Sequence, residues 1–227
     1  MGGTDRPNAL TDTEEVRQNI IDACRWMNAA GINQGTSGNI SVRVEGDHML
    51  ITPSGVPYDT KQPDMICRVA FDGDAEASGL YQPSSEWQFH QALLRERPET
   101  AAVVHAHPAY ATALAVQRRE IPACHYMVAI FGGMKVPLAG YELFGSTELA
   151  ERVAEAMSGY SGCLMANHGA VVLGESLEKA LWRMEELENL ACVYHLALQS
   201  GTPVLLSDGE MKAALAAIGN YGLAQRT

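Results

Sequence analysis

Val16, Ile20, Cys24 and Met27 recur at the spacing of one helix face. Thr11-x-x-Glu14, of capping-box form, precedes them and Gly31, a stop signal, follows. The period then changes. After the polar loop Gln34-Gly-Thr-Ser-Gly-Asn39, apolar residues alternate through Ile40-Ser-Val-Arg-Val44, as in a half-buried strand. Glu45-Gly-Asp47 reads as a turn, His48–Thr52 as the returning strand of a hairpin, and Pro53-Ser-Gly55 as its end. Residues 57–83 are irregular apart from a short strand expected at Ile66–Phe71. A second capping box, Ser85-x-x-Gln88, opens a helix running to about Arg97. Ala101–His107 reads as a strand closed by Pro108, Ala109–Val116 as a helix, His125–Ala129 as a strand and Thr147–Met157 as a helix. Cys163–Ala166 and Ala170–Leu173 read as strands on either side of Asn167-His168-Gly169. The longest helix starts at Ser176, with Ala180, Met184, Leu187, Ala191, Tyr194 and Leu198 on its core face and Gly201 as its stop. A last helix is expected near Glu210–Ile218.

Helices and strands mix throughout, and a hairpin comes early. These elements fit a partly antiparallel sheet with helices packed on it. With no internal repeat or linker, residues 1–227 are read as a single domain, long enough to bury a substantial core.

Composition narrows the function classes. With 47% apolar and 19% charged residues the chain is globular rather than disordered. A net charge of −11 argues against a nucleic-acid partner, since phosphate backbones select basic faces. An anionic small substrate stays open, because clustered backbone N–H groups can outweigh a distant net charge. The five cysteines are widely spaced with no C-x-x-C, as expected of reduced thiols. The first residues lack the apolar region of a signal peptide, and no apolar run approaches the ~18 residues of a bilayer span. A cytoplasmic protein with no membrane partner is expected.

The sharpest chemical feature is His105-Ala-His107. Residues i and i+2 of a strand share a face, so the two imidazoles lie side by side and form half a metal site. His168, in a Gly-bounded turn between two apolar strands, supplies a third nitrogen. Three histidines with an open fourth position is the arrangement of catalytic zinc, whereas closed structural sites more often use thiolates. His48, His90, His125 and His195 are read as structural or surface residues by default, with His90, five residues into its helix, the one whose position also allows it to face the site. Glu86, expected in a first helical turn where the dipole favours a carboxylate, is a candidate general base or fourth ligand. Three small polar clusters, Gly35-Thr-Ser-Gly-Asn39, Thr52-Pro-Ser-Gly55 and Ser84-Ser85, offer the hydroxyls and free N–H groups that hold phosphate.

Asn33-Gln-Gly-Thr-Ser-Gly-Asn-Ile-Ser41, Ile51-Thr-Pro-Ser-Gly55, Pro83-Ser-Ser-Glu-Trp87, Val104-His-Ala-His107 and Asn167-His-Gly169, in that order, resemble the class II aldolase/adducin family. His125-Tyr-Met127, Phe144-Gly145, Leu177-Glu-Lys-Ala-Leu-Trp182 and Tyr221-Gly-Leu223 are similar to members acting on L-fuculose 1-phosphate. The resemblance covers residues 14–223 and implies a three-layer α/β/α sandwich around a central, largely antiparallel sheet. It implies one Zn²⁺ per subunit on His105, His107 and His168, with Glu86 as fourth ligand and then acid/base. Gly38, Asn39, Ser54, Gly55, Ser84 and Ser85 would hold the substrate phosphate. Tyr126, as proton donor to the aldehyde, and Tyr221 would enter from a neighbour in a cyclic homotetramer. Cleavage of a ketose 1-phosphate would pass through a metal-stabilised enediolate and release dihydroxyacetone phosphate and an aldehyde.

The same scaffold also serves sugar-phosphate 4-epimerases, dehydratases, decarboxylases and metal-free adducin-like interaction modules. Similar epimerases carry Asp where Glu86 stands, and an interaction module would not need the three histidines. A cupin-type oxygenase would need a Glu soon after His-x-His, where Pro108-Ala-Tyr-Ala-Thr-Ala stands here.

Overall fold

Val103 and Val104, like Val171 and Val172, are all buried, but each pair splits between two separate apolar cores. Strand alternation is thus read against helices on both sides of one sheet. The computed structural model describes residues 9–73 and 80–218. Among the described residues the strands are β1 (Asn39–Val44), β2 (His48–Ile51), β3 (Cys67–Ala70), β4 (Ala102–Ala106), β5 (Leu138–Ala139), β6 (Gly162–Met165) and β7 (Gly169–Gly174). The helices are α1 (Glu14–Ala29), α2 (Trp87–Glu96), α3 (Ala109–Val116), α4 (Thr147–Ala156), α5 (Leu177–Ser200) and α6 (Asp208–Ile218). The sheet order is β3-β2-β1-β4-β7-β6-β5, antiparallel at every pair except β5–β6. Ile20, Met27, Leu114, Met184 and Leu187 pack one face of the sheet from α1, α3 and α5. Phe89, Leu93, Leu149 and Val153 pack the other from α2 and α4. This is the expected three-layer sandwich.

Several local expectations are corrected by the tertiary context. β1 is buried along its whole length rather than half-buried. Ser41 and Arg43 lie under the α2 layer and find partners there: Ser41 Oγ meets His90 Nδ1 at 2.7 Å, and Arg43 Nε donates to the Thr100 carbonyl at 2.8 Å. The cap of α1 is Thr13, whose hydroxyl accepts from Val16 N–H, not Thr11. The Ser85-x-x-Gln88 box does not form. Glu86 itself occupies the cap position of α2 without capping it, because its carboxylate turns toward the histidines. His125–Ala129 is not a strand: Tyr126–Phe131 is a 3-10 helix with its apolar residues buried. The two-residue β5 lay below any periodic signal.

One tie sets α3 against α5. Pro108 gives α3 no side-chain cap, and the Glu188 carboxylate from α5 accepts from the N–H groups of Tyr110 and Ala111 at 2.9 Å each. A half-buried carboxylate at a helix N-terminus satisfies orphan donors that a serine cap would otherwise meet.

Candidate active site

The sheet register gathers distant parts of the chain at one end. Asn39 at the start of β1 pairs with His105 near the end of β4, and Ala106 pairs with Ala170 of β7. The β6–β7 hairpin closes with Met165 opposite Gly169, and its turn carries Asn167, at φ 55, and His168. Asparagine tolerates this left-handed conformation. Gly169 is required by close approach: a Cβ there would stand 2.5 Å from the Ala106 carbonyl oxygen and 2.7 Å from His107 Cδ2. The three imidazoles meet edge to face with centroids 4.9–5.0 Å apart. One nitrogen from each of His105, His107 and His168 lies within 4.8 Å of the others.

The hydrogen bonds fix which nitrogens face inward. His105 Nδ1 lies 2.9 Å from the Ala170 carbonyl, which only accepts. Nδ1 therefore carries the proton, and Nε2 presents a lone pair. That Nε2 stands 3.1 Å from His107 Nε2 and 3.3 Å from Glu86 Oε2, while His168 Nε2 stands 3.1 Å from Glu86 Oε1. Oε1 is buried yet has no hydrogen-bond partner. A bare imidazole nitrogen and an orphaned carboxylate oxygen facing the same point fit a cation. Burial by itself would raise the Glu86 carboxyl, but His105, His168 and the Asn39 amide together hold it well below the usual carboxylate range. Burial lowers His105, and it lowers His107 to about 3, with neighbouring imidazoles adding to it in both cases. An ionised Glu86 beside neutral imidazoles is the state a metal requires.

A pocket of about 380 Å³ opens above this cluster. All six residues expected to hold phosphate line it, Gly38, Asn39, Ser54, Gly55, Ser84 and Ser85, together with Glu86, His107 and His168. No lysine or arginine lines it among the described residues, so any phosphate here meets neutral donors. Gly38 is needed where it is, since a Cβ would stand 2.8 Å from the His105 carbonyl oxygen. Asn39 Nδ2 donates to Glu86 Oε2 at 2.8 Å, which leaves its second amide hydrogen for a substrate. Tyr126 is 49% exposed on its 3-10 helix and does not line the pocket. Tyr221 lies outside the described residues.

Sequence reasoning missed Tyr141 and Glu142, which line the mouth beside Phe144. It missed Asn33, whose side-chain carbonyl accepts from His107 N–H at 3.1 Å. It also set His90 aside by default as a structural or surface residue, whereas His90 is buried behind Asn39 and bonded to it.

The model of the class II aldolase and adducin N-terminal domain matches residues 18–195. The chain belongs to the class II aldolase and adducin family. Over 213 residues it is 43% identical to the L-fuculose phosphate aldolase of Escherichia coli (strain K12), covering 93% of this chain and 98% of that protein. Over 207 residues it is 42% identical to the 5-methylthioribulose-1-phosphate/5-deoxyribulose-1-phosphate aldolase of Rhodospirillum rubrum, covering 91% and 92%. A solved structure of an L-fuculose 1-phosphate aldolase superposes with a TM-score of 0.87 at 36% identity, over 91% of this chain and 97% of that one. Within the family this chain is an aldolase, a carbon–carbon lyase of the metal-dependent class.

Proposed function

We propose that the protein is a zinc-dependent aldolase of a single class II aldolase/adducin-type domain. It cleaves a ketose 1-phosphate, L-fuculose 1-phosphate or a close deoxy or methylthio analogue, to dihydroxyacetone phosphate and an aldehyde. The observation that carries this reading is the buried Glu86 carboxylate, 3.3 Å from His105 Nε2 and 3.1 Å from His168 Nε2 beside the cluster of His105, His107 and His168, on the floor of a pocket walled by small neutral donors. The named substrates of the two relatives support the substrate class.

His105, His107 and His168 would hold the zinc, with Glu86 as a fourth ligand that substrate displaces; three neutral nitrogens and an exchangeable position suit a catalytic rather than a structural ion. When bound, the cation polarises the substrate carbonyl and offsets the negative charge that develops as the C3–C4 bond breaks. Glu86, freed by substrate, gives a proton to the carbon of the dihydroxyacetone phosphate enediolate, and takes it back in the synthetic direction. Backbone N–H groups and hydroxyls of Gly38, Ser54, Gly55, Ser84 and Ser85, with the Asn39 amide, grip the phosphate. No lysine lines the pocket among the described residues, and the chemistry needs no Schiff base. Tyr126 and Tyr221 act from a neighbouring subunit of a homotetramer, Tyr126 taking the proton of the C4 hydroxyl in cleavage and giving it to the aldehyde oxygen in synthesis; the exposure of Tyr126 outside its own pocket supports this. A cytoplasmic location goes with this metabolic role; among the described residues no helix is long and apolar enough to cross a membrane.

A panel of ketose 1-phosphates assayed for dihydroxyacetone phosphate and aldehyde tests the proposal. Release of both from L-fuculose 1-phosphate or its 5-deoxy and methylthio analogues is expected. Accumulation of a 4-epimer, or of a dehydrated or decarboxylated product instead, would overturn it.

A further inference from the structure

Behind Glu86 a chain of buried polar groups runs through the sheet into α2. Glu86 Oε2 accepts from Asn39 Nδ2 at 2.8 Å; Asn39 Oδ1 lies 2.6 Å from His90 Nε2; His90 Nδ1 lies 2.7 Å from Ser41 Oγ. Asn39 is 4% exposed, and His90 and Ser41 are fully buried. The direction of each bond follows from chemistry. An ionised carboxylate only accepts, so Asn39 must turn its NH₂ toward Glu86 and its carbonyl toward His90. His90 must then carry its proton on Nε2, which leaves Nδ1 to accept the Ser41 hydroxyl. Phe89 stacks on the His90 ring at 4.6 Å and holds its plane. Every donor points toward Glu86, an arrangement in which each bond polarises the next.

We infer that His90 is a positioning residue for the aldolase reaction: its Nε2–H fixes the Asn39 amide, so that Asn39 pins Glu86 Oε2 and leaves Oε1 to carry the proton. The inference rests on the acid/base role proposed above for Glu86. Without the His90 donor the Asn39 carbonyl loses its partner, and the amide is held only through its NH₂ bond to Glu86, about which it can swing. The two oxygens of Glu86 would lose their distinct environments, although the three histidines stay where the sheet register puts them. His90 therefore affects turnover more than metal binding.

Nitrogen NMR of the histidine-labelled holoenzyme reads the tautomer directly, and a neutral His90 protonated on Nε2 is expected. His90→Leu should lower kcat about tenfold to a hundredfold, the scale of a misplaced catalytic group, at full metal content. His90→Gln keeps an amide donor and should recover most of the loss. A His90 protonated on Nδ1, a folded and metal-loaded His90→Leu enzyme with parental kcat, or a His90→Gln enzyme as slow as His90→Leu would each overturn the inference. Should His90→Leu not fold, the tautomer in the unaltered enzyme and the His90→Gln rate decide. Glu86→Gln run in parallel separates the two readings. Retained kcat there removes the role of Glu86 itself, whereas a slow Glu86→Gln beside a normal His90→Leu removes only that of His90.

Discussion

His105 and His90 are fully buried and Glu86 is 5% exposed, whereas Tyr141 and Phe144, at the mouth of the same pocket, are 54% and 63% exposed. The floor is held by strand pairing on both sides of His105, by carbonyl and amide bonds to Asn33, Asn39 and Ala170, and by glycines that admit the close approach of neighbouring backbone. The mouth is a loop segment, residues 140–146, between β5 and α4. The groups proposed to meet a metal and move a proton are anchored to packed elements: His105 lies within β4, His107 just past its end, His168 in the β6–β7 turn and Glu86 at the start of α2. The groups proposed to contact the variable end of a substrate sit on a loop, where change costs the fold little. The contrast predicts that floor substitutions act on chemistry and metal, and mouth substitutions on substrate choice.

The largest effect is expected at Glu86. Glu86→Gln should lower kcat by about a hundredfold to ten-thousandfold, the usual worth of a positioned acid/base, while metal analysis still finds about one ion per chain. Undiminished turnover in steady-state assays would dissolve the distinction between floor and mouth. Next comes His107→Ala, which removes a nitrogen that no other described side chain replaces. Metal affinity in a chelator competition should fall by about a hundredfold or more, with activity falling in parallel. If activity survived complete metal removal, the histidine cluster would be a packing feature only.

A third expectation concerns pH. Burial, with His105 adding to it, holds the His90 imidazole down at about 3, against about 6.5 in an unfolded chain. Between those values the unfolded state binds the extra proton, so stability falls as pH falls. The contribution of His90 is therefore whole above about pH 6.5 and lost progressively toward pH 3, on the order of a few kcal/mol. Urea unfolding from pH 7 to pH 4 should show the unaltered protein losing more stability than His90→Gln; equal losses would mean His90 is hydrated and not part of the locked floor. The smallest effect belongs to the mouth. Phe144→Ala should shift the ratio of kcat/KM between a terminal-methyl and a methylthio substrate by up to about tenfold, with little change in metal content. A turnover loss for all substrates alike would place Phe144 with the floor instead.

The helices α1 and α5 were legible because each carries a helically spaced run of apolar residues with a cap or stop nearby, and long elements average over local accidents. Tyr126–Phe131 was misread because a short apolar run with little polar interruption suits a strand and a buried 3-10 turn equally. β1 was misread as half-buried because Ser41 and Arg43 look like solvent positions until a helical layer is placed above them. The same error hid His90: as a single polar residue in α2 it had no pattern to set it apart from a surface histidine, and its meaning comes only from Ser41 and Asn39, about fifty residues earlier in the chain.

The sequence by itself determined the element types apart from Tyr126–Phe131 and β5, the alternation that buries one valine on each side of the sheet, and the candidate histidines, Glu86 and small polar loops, since these depend on residue type and near-neighbour spacing. Only the tertiary structure decided that Asn39, Glu86, His90, His105 and His168 are one cluster. Strand register sets Asn39 opposite His105, 66 positions further along the chain, and no local spacing rule reaches across such a separation. It also decided which oxygen of Glu86 is pinned and which is left free, because that choice depends on directed hydrogen bonds that exist only once β1, α2 and β4 are packed together.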